Sequence, residues 1–326
     1  MNTIRHWIGL VSLCAMALPA AAAAHAQAGS YPTRTVSIIS DAAPGSTPDV
    51  DARFVAEGLA KAWGQQVIVV NHPGANGSVA ARAASEAAPD GYTLFMPALS
   101  TFVALPSIAP NLPLKLPRDF VPIGYTAENP MFVAVNPKLG VSTLPQLIAL
   151  AKKEPGKISI AVTGAGRLTD LTGRLLQERA DVQLLRVPYT GGPAAALADV
   201  GAGRVSMIIE GYSGIVGAVR AGQVKLIAVA SPERLPQFPD VPTVAETLPG
   251  FAALGWQVLV APNGTPGPII SKVSEDLSKV VSDADFKQRL AKIGSYSRAM
   301  TPEQTLAFVD KEQETWAPIL QQAAKQ

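Results

Sequence analysis

The stretch from Val36 to Glu57 constrains the fold more than any other. A β-branched run, Val36-Ser-Ile-Ile-Ser40, leads into the Pro/Gly/Ser-rich turn Asp41-Ala-Ala-Pro-Gly-Ser-Thr-Pro-Asp49. An apolar helical period, Val50-Asp-Ala-Arg-Phe-Val-Ala-Glu57, follows. Alternation giving way to helical spacing across a short turn reads as strand, tight loop and helix, a βα unit of an α/β protein. Ser46 or Thr47 is placed to cap the helix, Pro48 suits its first turn, and Asp49 lies at the positive end of its dipole. The loop is therefore expected to aim free backbone N–H groups outward and to receive a carboxylate or phosphate. The alternative is an ordinary βα turn inside a core.

A chain of 326 residues suits two domains better than one. Charged residues make up 16% without a block of like charge, which argues against a nucleic-acid surface or a polybasic membrane surface. The first 26 residues read as a secretory leader: Arg5 supplies the positive start, Trp7 to Leu18 the apolar stretch, and Ala24-His-Ala26 the cleavage site. No later run approaches the roughly 18 apolar residues of a membrane span. Cleavage near Ala26 would remove Cys14, His6 and His25 and leave His72 as the sole histidine. The exported chain then has no disulfide, no thiolate nucleophile and no His/Cys metal set, so no metal site and no cofactor are expected. His72, beside Pro73, reads as a loop residue.

Further along, Gln66 to Asn71 reads as a second strand, followed by His72-Pro-Gly-Ala-Asn-Gly-Ser78 and an Ala-rich helix to Ala88 capped by Asn76 or Ser78. Pro89-Asp-Gly91 turns the chain into a strand, Tyr92 to Met96. Helical and strand patterns then alternate: helix Leu144–Lys153, strand Lys157–Val162, strand Gln183–Val187 and strand Val205–Glu210. The tail is helical over Ile269–Val281, Ala284–Ile293 and Thr301–Gln322, with Trp316 a core residue of the last helix.

Pro44-Gly45-Ser46-Thr-Pro-Asp49, Val69-Val-Asn-His-Pro-Gly-Ala-Asn-Gly77, Ala88-Pro-Asp-Gly-Tyr-Thr-Leu94, Val187-Pro-Tyr-Thr-Gly-Gly192, Phe238-Pro-Asp-Val-Pro-Thr-Val-Ala-Glu246 and Trp256 to Pro266 occur in order along almost the whole exported chain. As an ordered set this resembles the Bug/TctC family, periplasmic solute receptors of tripartite tricarboxylate transporters. The resemblance implies a two-lobed periplasmic-binding-protein (clamshell) fold. Each lobe would be an α/β sandwich, with a small carboxylate held in the cleft mainly by backbone amides and water. It implies hinge segments near Met131–Val135 and Trp256–Ala261. Lobe 1 would be residues 27–131 plus 255–326, and lobe 2 residues 132–254. It also implies a monomer in the periplasm that docks transiently on integral membrane transporter subunits, with no enzymatic activity and no nucleic-acid partner.

The ligand site expected from these readings draws on loops of both lobes. From the first come Ala43, Pro44, Gly45, Ser46, Thr47 and Asp49, with Ser100 beyond the strand Tyr92–Met96. From the second come Thr163, Gly164, Gly166, Arg167 and Thr169 in a loop that opens a helix, then Tyr189 and Glu210. The chain departs from the family's usual pattern at Asp41, where a Pro-like position is common. It departs again at Ser46, in place of a second Gly, and at Arg167 and Asp170, where small hydroxyl residues and a His are usual. Arg167 is expected either to fork onto a ligand carboxylate or to pair with Asp170 on the same turn.

Two enzyme readings are weaker. Gly164-x-Gly166 is followed by Thr169, so the dinucleotide pattern fails. Gly211-Tyr-Ser213-Gly-Ile215 imitates a nucleophile elbow, but its fifth position is Ile and the only retained His precedes the Ser, so an acyl hydrolase lacks its order of residues. A ligand-presenting partner of a sensor, without a transport role, is the alternative from another class.

Overall fold

The computed structural model describes residues 31–108, 111–112, 114–164, 166–189 and 192–323. The leader expected over residues 1–26, and Thr190 and Gly191, lie outside the described residues. In chain order the elements begin with strand β1 (Val36–Ser40), helix α1 (Thr47–Trp63), β2 (Val67–Asn71), α2 (Ser78–Ser85), β3 (Thr93–Met96) and the short helices α3 (Leu99–Val103) and α4 (Leu105–Ile108). The long strand β4 (Phe120–Val135) follows, then α5 (Leu144–Lys153), β5 (Ser159–Val162), α6 (Leu168–Ala180), β6 (Leu185–Pro188), α7 (Pro193–Ala202), β7 (Met207–Gly211), α8 (Tyr212–Arg220) and β8 (Lys225–Val229). Strand β9 (Leu254–Pro262) and helices α9 (Gly267–Ser282), α10 (Ala284–Ala291) and α11 (Pro302–Ala323) complete the chain.

Strand β4 joins two sheets. Its first part, Phe120 to Pro130, runs antiparallel to β9, and β9 in turn meets β3 through Phe95 opposite Val260. Beyond β3 lie β1 and β2, all three parallel. At Met131 the strand exchanges partners. Met131–Val135 pairs antiparallel with β7 on one side and with β8 on the other, while β5 lies parallel between β7 and β6. The order is thus β2-β1-β3-β9-β4 in one sheet and β8-β4-β7-β5-β6 in the other. The two expected hinge segments fall on β4 and β9.

Helices cover the sheets because their apolar stripes match them. Val55 and Leu59 of α1 and Leu277 and Val281 of α9 pack on Ile38, Leu94 and Leu259 of the first sheet. Ala196 and Val200 of α7 and Ile215 of α8 pack on Ile208 and Val229 of the second. Trp316 of α11 is buried with Phe102, Tyr125 and Trp256, as its position predicts. The Nε1 groups of Trp256 and Trp316 both donate to Oε2 of Glu312, at 2.8 and 3.3 Å.

Some local readings shift. The Ala-rich helix stops at Ser85 rather than Ala88, and neither Asn76 nor Ser78 caps it: the N-cap is Gly77 at φ +99°, and Asn76 sits at φ +56° in a preceding tight turn. The first part of β4 escapes periodicity because Pro122 and Gly124 interrupt it and the register slips there and again between Tyr125 and Ala127.

Asp51, on α1 and wholly buried, sits behind β4, where its Oδ2 accepts from Nδ2 of Asn129 at 2.7 Å. Burial pushes its carboxyl up to about 7, opposed by Ser295 and Asn129. The folded chain therefore holds a proton that the unfolded chain releases near its ordinary value of 3.8. The corresponding stability is complete below that value and is lost as pH rises through about 7. Asp51→Asn, which keeps an acceptor for Asn129, is expected to flatten the decline in urea-unfolding free energy between about pH 4 and about pH 8. At the upper end it should gain on the order of 4 kcal/mol at most. A difference between variant and wild type that stays constant over that interval would contradict this.

Candidate functional site

The strands β1, β2 and β3 of one sheet, and β5, β6 and β7 of the other, point their carboxyl ends at a common crevice, where ligands of open α/β sheets are received. A cavity of about 370 Å³ lies there. Its walls are the loops after those strands, and its floor is formed by Asn129 and Met131 of β4 with Gly255 and Trp256 of β9. Pro48, Leu99, Val162, Leu168 and Pro193 make much of the lining apolar. Its charged lining residues, among the described residues, are Asp41, Arg167 and Glu210.

Nine of the fourteen residues expected at the site line this cavity: Ala43, Ser46, Ser100, Thr163, Gly164, Arg167, Thr169, Tyr189 and Glu210. Pro44, Gly45, Thr47, Asp49 and Gly166 do not. The first loop, moreover, satisfies its own donors. Gly45 N–H donates to Oδ2 of Asp49 at 2.9 Å, Ser46 N–H to the Ala43 carbonyl at 3.1 Å, and Asp49 N–H to the Ser46 carbonyl at 3.0 Å. Ser46 occupies the N-cap position, but its hydroxyl donates to the Ala43 carbonyl and makes no cap bond. Asp49 is buried against Arg53 and Asn71. The free amides expected between Ala43 and Asp49 are therefore largely consumed, and an anion finds few donors in this loop.

Thr47 has a different task. Its Oγ1 accepts from Gly214 N–H of α8 at 3.2 Å, and a Cβ on Gly211 would meet that oxygen at 2.4 Å. A Cβ on Gly192, at the start of α7, would come 3.1 Å from the Ala43 Cβ. Glycines at both places let the loops of the two sheets meet across the crevice.

The second loop keeps more donors open. Gly166 N–H is taken by Asp170 Oδ2 at 2.8 Å, but the first amides of α6 have no intrahelical acceptor, and Leu168 and Thr169 of that turn line the cavity. Gly164 makes room for the stem of Arg167, which a Cβ would meet at 2.6 Å. The expected alternative of an Arg167–Asp170 pair is not what forms. Buried Asp170 is occupied by Arg186 and Arg174. Arg167 instead reaches across the crevice, its Nη2 standing 3.4 Å from Oδ2 of Asp41. One guanidinium nitrogen is so engaged, and Arg167 lines the cavity.

Glu210, next to last in β7, is buried, accepting from its neighbour Gly211 N–H at 3.0 Å and from the Thr163 hydroxyl at 3.1 Å. Burial pushes its carboxyl above the ordinary glutamate range, against those two donors and the field of Arg167. Tyr189 faces the cavity with its ring while its hydroxyl donates to Asp199, and burial together with that carboxylate raises the phenol to about 12.

Among residues not expected at the site, Asp41, Asn129, Met131 and Trp256 line it. Asp41 is visible in the sequence only as a departure from a family pattern. Met131 and Trp256 lie in the segments read as hinges and Asn129 just before the first, and nothing in strand alternation says which face will look into a crevice. Pro73, Gly74 and Asn76 also line it, from a segment legible as a loop without a stated role.

Comparison with known proteins agrees with this geometry. A family model described as the tripartite tricarboxylate transporter family receptor matches residues 51–324. Protein BugT of Bordetella pertussis is 33% identical over 303 residues, covering 92% of each chain. MatC from Rhodopseudomonas palustris, solved with bound malate, superposes with a TM-score of 0.79 at 30% identity, over 89% of this chain and all of that one. Another R. palustris protein, solved with adipate, superposes at 0.85 with 26% identity, over 90% and 98% of the two chains. With the two-sheet clamshell and the crevice at its strand ends, these matches show that the chain belongs to the tripartite tricarboxylate transporter family receptors.

Proposed function

We propose that this protein captures a small organic acid between two lobes outside the cytoplasm and delivers it to the integral membrane subunits of a tripartite tricarboxylate-type secondary transporter. The observation that carries the reading is the cavity of about 370 Å³ between two sheets, a size suited to a small molecule, with Arg167 and the first turn of α6 as donors on one wall. Relatives solved with malate and with adipate support an acid as the ligand. The lobes are assigned as residues 27–131 plus 255–326 and residues 132–254, a division supported by the exchange of strand partners at Met131 and the return at Leu254. The leader-like first 26 residues support export to the periplasm. Binding then works as a population shift: the acid bridges loops that meet only when the lobes close, so it stabilises the closed form by its contacts to both. The protein acts as a monomer and no reaction is assigned to it.

A thermal-shift screen against an organic-acid library tests the reading. A true ligand at about 100 times its dissociation constant adds roughly 2.7 kcal/mol to stability, and a library in which no acid stabilises the protein would contradict it. With that ligand, Arg167→Ala should weaken binding by on the order of 2 to 5 kcal/mol in calorimetry, because a desolvated carboxylate loses its partner. Arg167→Lys should recover only part, since an ammonium lacks the planar fork. Equal affinity in all three proteins would remove Arg167 from the site.

Gly211→Ala addresses closure. The residue sits at φ −64°, which alanine adopts freely, but its Cβ would press on Thr47 from the other lobe. The expected outcome is about tenfold or more weaker binding with a nearly unchanged melting temperature of the unliganded protein. Small-angle scattering should show the liganded variant staying more open than wild type. Unchanged affinity would show that this contact is not part of closure.

A further inference from the structure

The charged groups of the cavity do not suit a simple dianion. Asp41 follows β1 with its side chain wholly buried, held by Ala98 N–H on Oδ1 at 3.2 Å and by the Thr101 hydroxyl on Oδ2. Gly77 closes over it, since a Cβ there would lie 3.0 Å from the same Oδ2. The carboxylate is therefore a fixed part of the wall. Its cationic partner, Arg167, comes from the opposite sheet at 3.4 Å, longer than the 2.7–2.9 Å typical of a charge-assisted bond, so the pair is loose. Glu210 faces the same space. Among the described residues, two carboxyl side chains and one guanidinium thus line the cavity, and a ligand with two carboxylates would raise the acid groups to four against one cation. Like charges brought together in a desolvated site cost several kcal/mol.

A ligand carrying one carboxylate and one cationic nitrogen meets no such cost. Inserted between Asp41 and Arg167, it replaces one loose ion pair by two, with no change in net buried charge. We propose that Asp41 is the selectivity residue of this receptor and that the ligand is a zwitterionic amino acid, its ammonium group on Asp41 and its carboxylate on Arg167 and the first turn of α6. This rests on the receptor reading above and narrows it. The Thr101 hydroxyl and the Ala98 N–H serve to aim the Asp41 carboxylate.

The test sets acids against amine-bearing counterparts of similar length: succinate against γ-aminobutyrate, malonate against β-alanine, and the same contrast for each strongest ligand found in the organic-acid library. Calorimetry on the wild-type protein should show the amine-bearing member of the best pair binding about thirtyfold tighter or more. Asp41→Asn, which keeps the shape and an acceptor for Ala98 N–H, should erase that preference and improve binding of the dicarboxylate. Wild-type protein that binds the dicarboxylate as tightly as its amine-bearing counterpart overturns the proposal while leaving the receptor reading intact. An Asp41→Asn protein that folds and keeps the wild-type preference also overturns it. A library in which no acid of either kind binds removes the receptor reading itself. The wild-type contrast decides even where the variant fails to fold.

Discussion

Main-chain pairing along β4 is the constraint on which the rest depends. One strand of 16 residues serves two sheets, giving its first part to β9 and its last five residues to β7 and β8. Around the exchange, Met131 N–H donates to the Ala253 carbonyl, Ala253 N–H to the Ala230 carbonyl and Ala230 N–H to the Met131 carbonyl, so the two crossing segments are bonded to each other where they pass between the sheets. Buried peptide groups at such a crossing need partners, and a closed ring of three bonds supplies them in a connection that has little side-chain volume to pack. The crevice exists because both sheets direct the ends of their parallel strands to the side where these segments cross.

The walls of the crevice divide the work unequally. The first loop, although it opens a helix, spends its donors on Asp49 and on its own carbonyls and serves as a rigid edge. Thr47 reaches from it to Gly214 on the far side. The second loop retains the first amides of α6 and the guanidinium of Arg167. Arg167 and the first amides of α6 on one wall, beside the buried Glu210, face the Asp41 carboxylate on the other, so the two walls differ in what they offer the two ends of a ligand.

Much of the architecture was legible in the sequence. Strand-to-helix switches at Ser40 and Val162, helix Leu144–Lys153 with its Pro at the start, and the three C-terminal helices follow from periodicity and end signals, because those patterns report a local apolar face. The first part of β4 was hidden, since Pro122 and Gly124 break alternation while β9 supplies the pairing from well over a hundred residues away in the sequence. At the site, small and hydroxyl residues after strands were identifiable as wall material. What a loop's amides bond to was not, because Asp49 reads equally as a helix-dipole partner and as the acceptor that silences Gly45. The partner of Arg167 was likewise invisible: Asp41 lies 126 positions earlier, and only the fold brings the two face to face.

Closure around a bound acid is the central claim, and an inter-lobe distance tests it most directly. Val79, 46% exposed near the rim of the first wall, and Ala195, exposed at the start of α7 on the second, accept spin labels through single cysteines in a chain begun at residue 27, which lacks Cys14. Double electron–electron resonance should give a broad distribution without ligand. Saturation with an acid shown by calorimetry to bind should collapse it to one short distance. A distribution that saturating ligand leaves unchanged would contradict capture by closing lobes.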